Sequence, residues 1–223
     1  MRIALLLAAA LIAAPSAAQA PGTVQRVTAN SIAYVPSTVT APVPLVVLLH
    51  GAGGDARSFL DEFRREADER RLILLSVQSN GRTWAVRKPE DGEADVRNIK
   101  AAIRDLSARI AVDANRTAVM GFSDGASYAL SVGMTYPGLF RTIVAFSPGY
   151  AFAPDEIDGE QRIFIAHSRR DSVLPADNTR RMVKGLKSVG FSPEVHWFNG
   201  GHEIDRQLKE TAFDFALGTS LSP

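Results

Sequence analysis

The run Pro-Leu-Val-Val-Leu-Leu at residues 44–49 constrains this chain more than any other feature. It has no polar interruption, so neither face of an extended strand built from it can meet water. Such a run belongs in a strand buried on both sides. A sheet covered on both faces needs helices over each, and the rest of the sequence supplies them. Segments 72–77, 116–120, 142–146, 162–166 and 194–198 read as further strands, and 24–27 with 32–35 as an edge hairpin. Phe59, Leu60, Phe63 and Ala67 fall at helical spacing within 56–70. Val96, Ile99, Ile103, Leu106 and Ile110 mark a second helix, which Asp95 could cap. Residues 125–135 have the composition of a buried helix, 178–189 read as a helix stopped at Gly190, and 204–217 as the last helix. Strands alternating with helices predict an α/β chain whose central sheet is mostly parallel and flanked by helices. No repeat or linker divides it, so residues 21–223 are expected to form one domain.

The chain carries a formal net charge of +1 and no basic run longer than a pair of residues, which argues against a nucleic-acid partner. It has no cysteine, which excludes thiol nucleophiles and thiolate metal sites. Residues 1–20, MRIALLLAAALIAAPSAAQA, run from one basic residue through an apolar stretch to small residues. That is the layout of a secretory signal peptide, with cleavage after Ala20 or Ala18. The apolar stretch is short for a membrane span. The expectation is a periplasmic or secreted protein without a stable membrane anchor after cleavage.

Gly121-Phe122-Ser123-Asp124-Gly125 stands between the expected strand 116–120 and the helix that follows. A turn this tight strains the backbone of the central residue, and the residues two away must be tiny to avoid steric clash. The serine is thereby presented at the carboxyl edge of the sheet, where sites of open α/β folds form. A serine hydroxyl is a poor nucleophile at neutral pH, so it needs a base and a group that orients the base. In this arrangement the acid and then the histidine follow the serine along the chain. His202, in the turn Asn199-Gly200-Gly201-His202-Glu203, is the expected base. His196 lies inside the strand EVHWF and reads as structural. Asp171, in the loop after strand 162–166, is the expected acid, whereas Asp177 reads as a helix N-cap and His167 as a packed or locally bonded residue. The Asp124 amide and one from the Gly-rich loop His50-Gly51-Ala52-Gly53-Gly54 would receive the oxyanion, Ala52 being preferred and Gly53 the alternative. No Gly-Lys-Ser/Thr follows that loop, so a phosphate cradle is a weak reading of it.

The segments LLHGAGG, GFSDG, the Asp171 loop ending VLP, and GGHE together resemble the bacterial serine esterases of the phospholipase/carboxylesterase group. They also resemble secreted polyhydroxybutyrate-depolymerase-like esterases. The similarity runs from about residue 43 to the C-terminus. It implies an α/β-hydrolase fold and hydrolysis of small-molecule esters without a metal or organic cofactor. It also implies Ser123, Asp171 and His202 as a triad, with Ala52 and Asp124 at the oxyanion hole. Asp124 stands where many relatives carry a neutral residue, and a carboxylate there should disfavour anionic acyl groups. Only residues 147–161 separate strands 142–146 and 162–166, too few for a sizeable lid domain. An open site for short or medium acyl esters is therefore expected, with Trp84, Phe146 and Tyr150 as candidate substrate-lining residues.

Overall fold

The apolar run becomes the body of a strand, Val43–Leu49, in which every residue is buried. Leu45, Val47 and Leu49 enter one core layer, while Val46 and Leu48 enter the other. This is the alternation that a pleated strand imposes. The computed structural model describes residues 22–85, 87–90, 93–154 and 161–218. The leader reading of residues 1–20 lies outside them, as does part of the 147–161 connection.

The strands are β1 (Thr23–Thr28), β2 (Ser31–Val35), β3 (Val43–Leu49), β4 (Ile73–Val77), β5 (Val112–Phe122), β6 (Thr142–Phe146), β7 (Arg162–Ser168) and β8 (Glu194–Phe198). They form one sheet in the order β1-β2-β4-β3-β5-β6-β7-β8. The β1–β2 hairpin and the β2–β4 pair are antiparallel, and all remaining pairs are parallel. The helices are α1 (Ala56–Asp61), α2 (Arg64–Arg70), α3 (Ala94–Ser107), α4 (Asp124–Thr135), α5 (Ala176–Ser188) and α6 (Arg206–Leu217). Helices α3, α4 and α5 cover the face of Leu45 and Val47; α1, α2 and α6 cover the face of Val46 and Leu48. From β3 the chain moves to β4 on one side and then crosses to β5 on the other. Strand order thus reverses at β3, and the crevice outside the carboxyl ends of β3 and β5, where Leu49 pairs with Gly121, is where such folds place their sites.

Three local expectations need correction. Residues 56–70 form two helices, not one: the Phe63 N–H bonds the Leu60 carbonyl, an i to i−3 bond that tightens the turn between them. Phe63 is fully buried there, edge-on to Phe59 and against Phe213. Asp95 does not cap α3. The N-cap is Glu93, and the Asp95 carboxylate instead accepts the Asn80 N–H at 2.7 Å. Asp177 does not cap α5, which starts after Pro175; it lies in the first turn, paired with Arg180 in the open.

Candidate active site

Ser123 alone turns the chain from β5 into α4, with φ 56° and ψ −117°. A Cβ on Gly121 would overlap the Gly125 backbone, and one on Gly125 would overlap the carbonyls of Leu49 and His50. The two glycines therefore let the elbow close and let α4 press against the end of β3. The Ser123 N–H bonds the Phe146 carbonyl at 2.8 Å, and the Ser123 carbonyl accepts the Ser127 N–H at 3.1 Å. The strained residue is thus anchored on both sides.

His202 stands in the turn after β8, and its Nε2 lies 2.8 Å from Ser123 Oγ. Its Nδ1 lies 2.7 Å from Asp171 Oδ2. The ring also packs on Phe122, centroids 4.9 Å apart. Ser168, the last residue of β7, fixes this turn: its Oγ donates to the Gly200 carbonyl at 2.5 Å and accepts the Gly200 N–H at 3.1 Å. The other Asp171 oxygen accepts the N–H groups of Val173 (2.9 Å) and Leu174 (2.8 Å). Burial alone would raise the Asp171 pKa. The hydrogen bonds from His202 and from the Leu174 and Val173 amides outweigh it and hold the carboxyl below its ordinary value. An ionised, buried Asp171 accepts Nδ1–H, which leaves the Nε2 lone pair to take the Ser123 hydroxyl proton. Such a relay can remove that proton as the oxygen attacks an acyl carbon.

The loop after β3 runs directly beside the serine: a Cβ on Gly51 would lie 3.5 Å from Ser123 Cβ. The Gly53 N–H bonds the Arg82 carbonyl at 2.6 Å, which disfavours it as the loop's oxyanion donor. Ala52 is exposed in the same loop, and Asp124 is the first residue of α4, where amides and helix dipole favour negative charge. A depression of about 230 Å³, lined among others by Ala52, Phe59, Glu62 and Phe122, adjoins this edge.

Two expected lining residues are not available to a substrate. Trp84 is 1% exposed; it stacks on Tyr128, its Nε1 donates to the His50 carbonyl at 2.8 Å, and its N–H donates to Asp124 Oδ2 at 2.8 Å. Phe146 is 0% exposed and packs on Phe164 in the core. Phe146 ends β6 and Trp84 lies in the connection after β4, but both side chains point inward. Tyr150 is half-buried, with its hydroxyl donating to Asp124 Oδ1 at 3.3 Å and its ring beside Phe152. Both Asp124 oxygens are therefore engaged.

His196 stacks on Phe164 and pairs with Glu194, partners outside the relay. His167 is fully buried; Nε2–H donates to the Leu174 carbonyl (2.8 Å) and Nδ1 accepts from Thr179 Oγ1 (2.7 Å). Burial lowers its pKa, against the pull of the Leu174 carbonyl and Asp171, so it stays neutral and braces the Asp171 loop. Ser168, Phe122 and this bracing role were not anticipated from the sequence. The available signal was two polar residues, His167 and Ser168, ending an otherwise apolar run.

The model of the phospholipase/carboxylesterase family matches residues 30–216. A putative hydrolase of Bacillus subtilis (strain 168), MhqD, is 24% identical over 179 residues, covering 75% of this chain and 90% of that one. Feruloyl esterase B of Neurospora crassa is 30% identical over 122 residues, but these make up 51% of this chain and only 42% of that enzyme. The crystal structure of the Bacillus cereus carboxylesterase superposes with a TM-score of 0.63 at 20% identity, covering 85% of this chain and 94% of that one, and shares the α/β-hydrolase fold. The chain belongs to the phospholipase/carboxylesterase family and is a carboxylic ester hydrolase.

Proposed function

We propose that the protein is a serine esterase for short or medium acyl esters, with Ser123 as nucleophile, His202 as base and Asp171 as the orienting acid. The observation that carries this reading is the continuous contact from Ser123 Oγ through both nitrogens of His202 to Asp171, at 2.8 and 2.7 Å. As Ser123 Oγ bonds to the acyl carbon, its proton passes to His202 Nε2. The carbonyl oxygen becomes an oxyanion that the Ala52 and Asp124 amides receive. Collapse expels the alcohol with the proton from Nε2. Water, deprotonated by the same nitrogen, then releases the acid and restores Ser123. The Asp124 carboxylate beside the nucleophile supports discrimination against anionic acyl groups. The leader-like residues 1–20 support action outside the cytoplasm.

The test is hydrolysis of p-nitrophenyl esters, acetate through palmitate, by the wild type and Ser123→Ala. Turnover should favour the shorter chains and fall at least about 10³-fold in the variant. No ester turnover, or equal turnover by both proteins, would contradict the assignment. The similarity to feruloyl esterase B favours one second reading, an aryl ester substrate. Methyl ferulate in the same series separates the two by which ester has the higher kcat/KM.

A further inference from the structure

The Gly-rich loop after β3 owes its shape to a histidine that the relay does not use. His50 is 1% exposed and its two ring nitrogens have fixed and different partners. Nδ1 lies 2.8 Å from the carbonyl oxygen of Gly51, which can only accept, so Nδ1 carries the proton. Nε2 receives the Ser79 N–H at 3.3 Å and the Gln78 side-chain amide at 3.0 Å. The Gln78 amide is itself oriented, because its oxygen accepts the Ala56 N–H at 2.9 Å. Every partner therefore selects one state, the neutral Nδ1–H imidazole.

The consequence lies one atom further on. The Gly51 carbonyl and the Ala52 N–H belong to the same peptide unit, which is planar and points the two groups in opposite directions. Two donors hold that carbonyl: His50 Nδ1 and the Gly54 N–H, the latter at 3.0 Å. Trp84 holds the preceding carbonyl, that of His50, and Arg82 holds the Gly53 N–H. With its neighbours fixed on either side, the Ala52 N–H has its direction set by the peptide that His50 grips. We infer that His50 is a positioning residue that aims the Ala52 amide at the oxyanion through the Gly51 carbonyl. This rests on the serine esterase reading above and adds a residue to it that never touches the substrate.

Two variants separate the two halves of the imidazole. In His50→Asn the side-chain amide can occupy the place of Nδ1 and still donate to the Gly51 carbonyl. In His50→Gln the side chain reaches the place of Nε2 and can still accept from Ser79, but the donor to Gly51 is lost. On p-nitrophenyl acetate, His50→Gln should lower kcat about 10- to 100-fold with KM within about 3-fold, a partial loss of one oxyanion donor. His50→Asn should stay within about 5-fold of wild type. The ratio of ester to thionoester turnover, which is independent of the amount of folded enzyme, should shrink in His50→Gln, because sulfur gains less from a well-aimed amide. Gln78→Met keeps the imidazole but removes the amide that fixes its tautomer, and should show the same signature at a few-fold size should His50→Gln fail to fold. Wild-type kcat and ratio in His50→Gln, or equal kcat losses in both His50 variants with an unchanged ratio, would overturn the inference while leaving Ser123-dependent turnover in place. A wild type with no Ser123-dependent turnover would instead sink the esterase reading and the inference with it.

Discussion

The elbow at Gly121–Gly125 and the loop from His50 to Gly54 lie side by side at the carboxyl edge of the sheet, yet different forces shape them. The elbow is shaped by exclusion: Ser123 takes φ 56° in a turn so tight that nothing larger than glycine fits two residues to either side. The loop is shaped by attraction, through bonds from Gln78, Ser79, Arg82 and Trp84 in a distant segment. The Gly121 clash with the Gly125 backbone lies within five consecutive residues and is written in the sequence itself, whereas the Gly125 clash with the end of β3 is seen only in the fold. Bonds between segments some thirty residues apart are not written in the sequence either, since any of many polar groups could have supplied them. The Asp171 loop falls between the two: its carboxylate bonds local amides, but the same loop is braced by His167 from the strand before it.

The sharpest way to break this contrast is to fill the elbow. Gly125→Ala should cost about 4 kcal/mol or more, because the added methyl meets the Leu49 and His50 carbonyls, which cannot move without shifting β3. Chemical denaturation measures this, and a cost under about 1 kcal/mol would show that the elbow has slack. Next in size is a bond that shapes the loop. Trp84→Phe keeps the ring stacked on Tyr128 but orphans the His50 carbonyl, a loss of about 1–3 kcal/mol in the same assay. No loss would mean that the loop holds its shape without the segment beside it.

The smallest expected effect concerns the acid loop and is read against pH. Burial lowers the His167 pKa, so the unfolded chain takes up the proton first as pH falls. The stability from neutral His167 is complete above about pH 6.5 and declines below it, by at most about 1.4 kcal/mol per pH unit for one proton. Unfolding free energies from pH 7.5 to 5.5 should fall less steeply for His167→Gln than for wild type. Parallel slopes would show that His167 takes up its proton equally well in both states.

These contrasts also mark how far the sequence could be read. The β3 run, the alternating elements, the serine in its motif and the acid and histidine in their loops all rest on short-range pattern, and the structure brings Ser123, Asp171 and His202 into contact. Position along the chain suggests Trp84 and Phe146 as substrate-lining residues. Position does not fix which way a side chain points, and packing against Tyr128 and Phe164 turned both inward. Asp95 and Asp177 have the composition of caps, but a bond to Asn80 and a start at Ala176 displaced them. The role of Trp84, whose indole holds the His50 carbonyl, depends on a contact between segments that no local pattern encodes.

The proposed mechanism requires that His202 activates Ser123. It is tested most directly by reacting the protein with a fluorophosphonate probe and locating the adduct by peptide mass spectrometry. One adduct on the peptide containing Ser123 is expected, absent in Ser123→Ala and forming at least about 10²-fold more slowly in His202→Ala. Labelling at another serine, or at an undiminished rate in His202→Ala, would contradict it.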